Sequence, residues 1–365
     1  MINYVKLGSL TSIKTGKLDA NAATDGGKYP FFTCSKEPLS INSFAYDCEC
    51  VLVAGNGDLN VKYYEGKFEA YQRTYIIESV DKDKLLVKYL YFFLDSYVAV
   101  LRMQSIGGVI KYIKLGNLTD AVITLPDIDK QQEIVDLLEG CEKLVTARKQ
   151  QLISLDELVK SRFIELFGDP VSNQHGYEKV SLSELADIKI GPFGSLLHKE
   201  DYIEGGHPLL NPSHIVDGKI APDNKLSISE DKYSELSAYQ LHVGDVVMGR
   251  RGEMGRCAVV PDEGYLCGTG SLMIRTKGDV TADYIQKVIS FPSFKKTIED
   301  MAVGQTMPNL NVPIVSSFQI IKPPIEVQNR YYAFAAEVDK SKFVVQKSLL
   351  ELETLKKSLM QEYFG

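Results

Sequence analysis

Hydrophobic residues between positions 131 and 168 follow an alternating spacing of three and four residues. The set consists of Ile134, Leu138, Cys141, Val145, Leu152, Leu155, Val159 and Leu166. Arg148 and Arg162 interrupt this stripe. Such a narrow stripe is typical of a coiled-coil seam, whereas a helix on a globular surface has a wider apolar face. The pattern therefore predicts one long helix, which Gly168 and Pro170 end.

A second copy of this helix occurs from 328 to 365, at an offset of about 197 residues. Gln131 matches Gln328, and Phe167-Gly168 matches Phe364-Gly365. The apolar stripe of the second copy is predicted to contain Phe334, Val338, Val345, Leu352, Leu355 and Leu359. Solenoid units recur every 20 to 50 residues or so, which is far shorter than this offset. The repeat therefore indicates a duplicated domain, each copy followed by its own helix.

The chain divides by this pattern into four parts. They are a first globular domain at 1–125, a helix region at 126–168, a second globular domain at 177–323 and a helix region at 324–365. Short apolar runs at 50–54, 61–64 and 73–77 predict strands, and an amphipathic pattern predicts a helix at 84–103. The same order recurs in the second domain, where the helix is predicted at 281–301.

The two globular domains differ mainly by an insertion. Their central parts match at offsets of 195 to 197, but Tyr4-Val5-Lys6-Leu7 aligns with Tyr177-Glu178-Lys179-Val180 at an offset of 173. About two dozen extra residues are therefore expected within 191–240. The predicted fold is α+β, with two globular α/β domains, two long helices forming an antiparallel coiled coil, and a pseudo-two-fold repeat. The alternative is that each helix packs on its own domain.

Composition narrows the class of protein without identifying it. The 365 residues are 44% hydrophobic and 24% charged, which is ordinary for a globular protein of two or three domains. No membrane span or signal peptide is predicted. The six cysteines form no metal or disulfide framework, so a cytoplasmic protein with reduced thiols is expected. A net charge of −7 argues mildly against nucleic-acid binding, so any DNA-binding face has to be local.

Catalytic motifs do not stand out. The segment Gly55-Asn56-Gly57 lacks the GxGxxG pattern, and Asn211-Pro212-Ser213-His214 only superficially resembles the NPP[YF] motif of amino-methyltransferases. Both are expected to be turns. His207 and His214 lack an accompanying cluster of metal ligands. We therefore expect no catalysis by this chain and no cofactor or metal bound to it.

Basic and amide side chains on glycine-flanked loops suggest DNA contacts. Arg250 and Arg251 lie between two glycines after a predicted strand, and arginine is the commonest reader of guanine edges. The loop 304–309 is rich in amide and hydroxyl groups, and 107–112 is its counterpart. Such loops are more often only solvated turns. The candidate DNA-contacting residues are Lys14, Lys17, Asn56, Arg73, Lys111, Ser195, Arg250, Arg251, Gln305 and Asn309.

The long helices carry more apolar residues than one seam between two helices can cover. Surplus apolar surface of this kind usually marks a partner site. The candidate partner-binding residues off the main stripe are Leu137, Leu144, Leu158, Phe163, Tyr332 and Phe343.

The helix regions resemble a known family. LPDIDKQQEIVDLLEG and SLDELVKSRFIELFGDP, with their echoes PPIEVQNRYYAFAAEVDKS and ELETLKKSLMQEYFG, look like the specificity subunit of type I restriction–modification enzymes. The segment LHVGDVVMGRRGEMGRCAVV is similar in pattern to a recognition domain of that family.

The resemblance implies two target-recognition domains, each reading half of a bipartite site in double-stranded DNA. It implies that the helices dock two methyltransferase subunits, through which a restriction subunit joins. S-adenosylmethionine, ATP and Mg would belong to those partners. Two alternatives stay open: a specificity component of a restriction system outside type I, and a coiled-coil scaffold that binds only proteins.

Overall fold

The structure, a computed structural model, describes residues 4–223, 225–302 and 309–365. It divides into two compact units. Unit 1 comprises Met1–Leu152 and Phe343–Gly365, and unit 2 comprises Ile153–Lys342. Each unit therefore contains one globular α/β domain together with a segment of each long helix. The overall class is α+β, as the sequence predicts.

The globular domain of unit 1 begins with a strand and ends with the strand that pairs with it. Its strands are β1 (Tyr4–Lys6), β2 (Thr11–Thr15), β3 (Tyr29–Phe32), β4 (Leu39–Ile41), β5 (Tyr46–Ala54), β6 (Val61–Ala70), β7 (Thr74–Ser79) and β8 (Val122–Thr124). Its helices are α1 (Val87–Gln104) and α2 (Leu115–Thr119), and the long helix α3 (Ile128–Phe167) follows.

The main sheet of unit 1 has the strand order β2-β7-β5-β6-β3-β4 and is strongly curled. At one end of β5, Ala54 pairs with Thr74 on β7. At the other end of β5, the hydroxyl of Tyr46 donates to the carbonyl of Thr15 on β2, 3.2 Å away. The pairing of β2 with β7 and of β7 with β5 places Thr15 level with the Ala54 end of β5, so a flat sheet of these nine-residue dimensions would hold it far from Tyr46.

Both faces of β5 are buried over residues 50–54, which explains the continuous apolar run of that half of the strand. Val51 and Val53 pack on one side with the buried face of α1, whereas Cys50 and Leu52 lie in a separate cluster on the other side, within the curl. Successive side chains of a strand point to opposite faces, so a strand between two cores needs apolar residues at every position.

The globular domain of unit 2 contains the same elements and additional ones. Its strands are β9 (Glu178–Ser181), β10 (Ala186–Ile190), β11 (Tyr202–Ile203), β12 (His207–Leu210), β13 (Ile215–Val216), β14 (Lys219–Ile220), β15 (Ser227–Ile228), β16 (Gln240–Leu241), β17 (Val246–Gly249), β18 (Cys257–Val259), β19 (Tyr265–Cys267), β20 (Ser271–Thr276) and β21 (Gln319–Lys322). Its helices are α4 (Leu182–Leu185), α5 (Glu230–Glu235), α6 (Ala282–Ile289), α7 (Pro292–Met301) and α8 (Val312–Ser316), and the long helix α9 (Ile325–Phe364) follows.

Strand pairing corrects the predicted alignment of the two domain starts. Val5 pairs with Ile123 in unit 1, and Val180 pairs with Ile320 in unit 2. Val5 therefore corresponds to Val180, at an offset of about 175 rather than 173. The offset of 173 aligns Tyr4 with Tyr177, but Tyr4 is the first paired residue of β1 and Tyr177 lies just outside β9. The additional elements of unit 2 fall between β10 and β17, which includes the predicted insertion at 191–240.

The predicted helix at 281–301 is two helices, α6 and α7, because Pro292 interrupts it. The residue before a proline is disfavoured in the helical conformation. Phe291 accordingly has an extended backbone, with φ −69° and ψ 137°, and Pro292 then begins α7. In unit 1 no proline occurs at this point, and α1 continues unbroken from Val87 to Gln104.

The long helices α3 and α9 run antiparallel within each unit. In unit 1, Glu142 pairs with Lys356 at 2.7 Å, and Lys149 pairs with Glu353 at 3.0 Å. The residue numbers of the partners on α9 therefore decrease as those on α3 increase. In unit 2, the ring of Phe163 packs on that of Tyr331, and Asp156 pairs with Lys342. In the part of the chain that is described, no helix is long and apolar enough to cross a membrane.

The seam of α3 agrees with the predicted stripe, but that of α9 differs at one point. Leu355, predicted in the seam, is 48% exposed, and Lys356 occupies the position instead. The aliphatic stem of Lys356 can pack against the seam while its ammonium reaches Glu142. Of the seam arginines, Arg162 bonds Glu165 on its own helix and lies over the ring of Phe334, and Arg148 bonds Gln151.

A buried glutamine fastens the start of each long helix to its globular domain. Gln131 accepts a hydrogen bond from the backbone N–H of Leu86 at 3.0 Å and donates to the carbonyl of Pro126 at 2.9 Å. Gln328 does the same with Thr281 and Pro323, at 3.0 and 2.9 Å. Both side chains are fully buried, and all of these partners correspond in the internal repeat.

The strand β12 of unit 2 contains a histidine whose charge depends on pH. The ring of His207 stacks on Tyr233 with centroids 3.9 Å apart, and its nitrogens lie 2.7 Å from a Glu230 oxygen and 3.0 Å from the Gly264 carbonyl. Burial opposes the charged form, but the Glu230 carboxylate and the Gly264 carbonyl outweigh it and raise the pKa of His207.

Because the folded-state pKa is raised, the stabilisation by protonated His207 is complete below its ordinary pKa. It is lost as pH rises through the folded-state value. We therefore expect the thermal stability of unit 2 to fall slightly across this window, and Glu230→Gln to remove most of that dependence. Titration of the imidazole by NMR measures it. An unshifted His207 pKa in the wild-type chain would contradict the assignment.

Candidate nucleic-acid interface

Loops from distant parts of unit 1 meet at one end of its curled sheet, where β2 and β5 end and β7 begins. The N–H of Gly16 donates to the carbonyl of Thr74 at 3.1 Å, and that of Gly55 donates to Arg73 at 2.8 Å. The N–H of Ile113 then donates to Gly55 at 2.9 Å. We name the segments 15–18, 55–58, 71–73 and 106–113 the loop cluster of unit 1.

The same backbone frame recurs in unit 2. The N–H of Gly191 donates to Ser271 at 3.1 Å, that of Arg250 donates to Gly270 at 3.0 Å, and that of Leu310 donates to Arg250 at 3.0 Å. Each bond has its counterpart in unit 1, with an offset of 175 for Gly191 and of 195 to 197 for the other residues. We name the segments 191–195, 249–251, 268–270 and 309–310 the loop cluster of unit 2.

A glycine is required where the first loop of each cluster crosses a neighbouring strand end. A Cβ placed on Gly16 would lie 2.1 Å from the carbonyl oxygen of Ala70, and one on Gly191 would lie 2.1 Å from that of Gly268. Atoms cannot approach so closely. These glycines therefore allow the close backbone contact that brings the first loop beside the others.

The loop cluster of unit 1 collects four of the predicted DNA-contacting residues. Lys17, Arg73 and Lys111 are exposed, and Asn56 is half-buried and forms a bridge with Tyr112. Lys14, also predicted, lies on β2, where its ammonium bonds Glu78 at 3.1 Å. That hydrogen bond raises the pKa of Lys14. Glu78 thus partly compensates the charge of Lys14, so the exposed cations of the loops are better placed to meet an anion.

The two arginines of unit 2 differ in what surrounds them. Arg250 is half-buried, and its Nε donates to the carbonyl of Leu310 at 3.0 Å. Burial, together with the neighbouring charge of Arg251, lowers the pKa of Arg250. Arg251 is exposed. Arg250 therefore helps to hold the loop cluster together. Arg251 has no hydrogen bond or ion pair with another described side chain, so its guanidinium can reach a ligand.

A cavity of about 510 Å³ lies beside these arginines. Its lining is Ile190, Phe193, Arg250, Arg251, Thr269 and Gly270. Phe193 is 62% exposed, although an aromatic ring of this size is usually buried. Phe193 is not among the residues that the sequence predicts to contact DNA. The signal that could have found it is an aromatic residue inside a glycine-flanked turn, at the position in the internal repeat that corresponds to the first basic loop of the other domain.

Three further predicted residues have different outcomes. Ser195 is exposed within the loop cluster of unit 2. Asn309 is half-buried, and its Oδ1 is buried without a hydrogen-bond partner among the described residues. Gln305 lies outside the described residues. Within those described residues, no group of three or more His, Cys, Asp or Glu side chains is placed to hold a metal ion.

The predicted partner surface needs correction at two positions. Leu137, Leu144, Leu158 and Phe343 are exposed as expected, Phe343 at 68%. Phe163 is fully buried, however, and Tyr332 packs against the same core of unit 2. The prediction rests only on the seam between the two long helices. The globular domain of unit 2 packs on the sides of α3 and α9 that carry Phe163 and Tyr332. Neither side chain is available to a partner.

The duplicated α/β domains, joined by long helices, define the class of protein. The family model of the type I restriction modification DNA specificity domain matches residues 2–156 and 174–354. These matches cover most of the chain, so the chain belongs to this family.

One curated relative is the type I restriction enzyme EcoDI specificity subunit of Escherichia coli. It is 40% identical over 156 residues, which is 43% of this chain but only 34% of that relative. The chain is thus matched over about a third of that relative's length.

Solved structures share the fold over the whole chain. The type I restriction–modification S subunit from M. genitalium has a TM-score of 0.63 at 17% identity, covering 100% of this chain and 96% of that one. A chain from a structure of complex assembly and conformational transition of the type I R-M system has a TM-score of 0.63 at 17% identity, covering 100% and 97%. At this identity the likeness concerns the fold alone.

Proposed function

We propose that this chain is the DNA sequence-recognition subunit of a type I restriction–modification complex. Each globular domain would read one half of a bipartite site in double-stranded DNA. The observation that carries the proposal is the repeated loop cluster. Two domains with the same backbone frame and different loop side chains can read two different DNA sequences, because the side chains on the loops make the contacts to the bases.

The loop clusters have the chemistry that DNA requires. Phosphate contacts need exposed cations, which Lys17, Arg73 and Lys111 supply in unit 1 and Arg251 supplies in unit 2. Base edges in the major groove need planar donors and amides, which arginine and asparagine provide. The net charge of −7 is compatible with this role, because the cations are concentrated locally.

We further propose that methyltransferase subunits dock on the exposed apolar residues of the long helices. Leu137, Leu144 and Phe343 belong to unit 1, and Leu158 belongs to unit 2. Exposed leucine and phenylalanine on a helix are favourable sites for an apolar interface. The chain itself would supply no catalytic group, and S-adenosylmethionine, ATP and Mg would bind to the partner subunits.

The proposed function is tested by band-shift assays of the chain with and without a methyltransferase subunit. The probes are duplexes carrying the motif methylated in the source genome, and duplexes of scrambled sequence. We expect tight and selective binding only when the partner is present. A scaffold that binds only proteins would assemble with the partner and show no preference between the duplexes.

Substituting Arg251 distinguishes base reading from phosphate contact. Arg251→Ala is expected to weaken specific binding by roughly 1–3 kcal/mol and to relax one base position, because a bidentate pair with guanine is lost. Arg251→Lys is the matched variant, since lysine keeps the charge but lacks the fork of donors. Affinities for the motif and for its single-base variants measure the effect. Unchanged affinities for both substitutions would contradict the assignment.

A further inference from the structure

The loop cluster of unit 1 presents an apolar tip to solvent. Residues 106–112 form a narrow hairpin, at the end of which Val109 is fully exposed and Ile110 is 63% exposed. Other exposed apolar side chains lie beside it along the chain, namely Met103, Ile106 and Leu115. A group of exposed apolar side chains in one segment of a soluble protein indicates an interaction site. The proposed function does not assign this tip.

The tip is held in place by backbone hydrogen bonds. Ile106 and Tyr112 exchange both of theirs, at 3.0 and 2.9 Å, and the N–H of Gly57 donates to Lys111 at 2.9 Å. Gly107 has φ +115°, and a Cβ there would lie 2.6 Å from the carbonyl oxygen of Ile110. The hairpin is thus built so that its apolar end stands away from the core instead of folding back onto it.

The surroundings of the tip favour a polyanion as its occupant. Lys17, Arg73 and Lys111 lie exposed in the same loop cluster. The one acidic residue in the loop segments, Asp58, is engaged by Arg102 at 2.9 Å and by Lys36 at 3.8 Å. Within the described part of the chain, Lys17, Arg73 and Lys111 make no ion pair. An apolar projection in the same loop cluster as such cations matches duplex DNA, whose phosphates are anionic and whose stacked bases are apolar on their faces.

We propose that Val109 and Ile110 form a wedge that enters duplex DNA between adjacent base pairs at the half-site of unit 1. Apolar side chains inserted between base steps partly unstack them and bend the duplex. The surrounding lysines and Arg73 hold the flanking phosphates. This inference rests on the proposed function and adds a mode of recognition to it. Because pyrimidine–purine steps unstack most easily, such a step is expected at the wedge.

The test compares the wild-type chain with Val109→Ser/Ile110→Ser, each assembled with its methyltransferase partner. Val80→Ser is the matched control. Val80 is also an exposed valine, at 68%, but it follows the end of β7 remote from the loop cluster. Thermal unfolding checks that all three chains are equally stable.

The probe is a duplex of the methylated motif with 2-aminopurine at the candidate step and a fluorophore pair at its ends. Wild-type and Val80→Ser complexes are expected to increase 2-aminopurine emission and to shorten the end-to-end distance. The double variant is expected to do neither. It should bind about tenfold more weakly or worse, because the apolar contact of two side chains is lost.

Each other outcome overturns the wedge. If the double variant binds and bends DNA like the wild type, the wedge is wrong while DNA recognition stands. If the double variant no longer assembles with the methyltransferase, the tip is a protein-docking site. If the wild-type assembly binds no duplex selectively, the proposed function fails together with the wedge.

Discussion

Replacing Phe167 by alanine is expected to lower the free energy of unfolding of unit 2 by about 3–5 kcal/mol. Its ring is fully buried at the end of α3 and packs on Phe163, Tyr284 and Tyr331, with centroids 4.9, 5.2 and 5.4 Å away. Removal of the Phe167 ring leaves a cavity, and the large rings around it cannot move far enough to fill that cavity. Denaturant unfolding followed by tyrosine fluorescence measures the loss.

The internal repeat provides the control for this substitution. Phe364 is the counterpart of Phe167 and packs on Tyr89 and Phe93 of unit 1, with centroids 5.1 and 6.3 Å away. It is only half-buried, so Phe364→Ala is expected to cost clearly less and to affect unit 1. Equal losses for the two substitutions, or a Phe167→Ala loss under about 1 kcal/mol, would contradict the packing described.

Exchanging residues 177–323 for the equivalent domain of a relative is expected to replace one half of the DNA site and to spare the other. The reason is that each loop cluster is closed by hydrogen bonds within its own unit. The junctions fall between α3 and β9 and between β21 and α9, where neither a helix nor a strand is cut. Sequencing of methylated motifs after co-expression with the methyltransferase reads the outcome.

The exchange has a structural requirement and a control. Phe163, Phe167 and Tyr331 remain on the host helices and pack into the incoming domain, so the donor domain has to supply a matching core. Exchanging 1–125 is the reciprocal control, and it should alter the other half-site. A single exchange that changes both halves, or neither, would refute separate readout.

Much of the scaffold could be predicted because it is periodic and duplicated. The alternating stripe from Ile134 to Leu166 depends only on local spacing, and it identifies a helix that the structure extends from Ile128 to Phe167. The paired glutamines Gln131 and Gln328 were visible as a match in the repeat. Their role, fastening each helix to a globular domain, depends on backbone atoms that no pattern of side chains reveals.

Errors arose where a third element covers a helix. A stripe on one helix does not show what lies on the other sides of that helix. The sequence therefore predicts Phe163 and Tyr332 as partner-binding, although the core of unit 2 covers them. The apolar pattern likewise predicts Leu355 in the seam of α9, where the structure leaves it exposed. The structure uses the stem of Lys356, whose charge is met by Glu142.

The candidate site was only partly accessible from sequence for a similar reason. Glycine-flanked basic loops could be recognised one by one, but their convergence comes from the curl of the sheet and from bonds such as Gly55 to Arg73. The different surroundings of Arg250 and Arg251 also depend on Leu310, which is distant in the chain. The exposure of Val109 contradicts its hydrophobicity, so no rule of composition predicts it.

Methyl transfer by a reconstituted complex tests the central claim most directly. The purified chain is incubated with DNA and radiolabelled S-adenosylmethionine, alone and together with a methyltransferase subunit from the same source. We expect no transfer by either protein alone, and transfer by the complex to a motif of two separated parts. Methyl transfer by this chain alone would contradict the account, as would a chain that stays unbound when mixed with the methyltransferase.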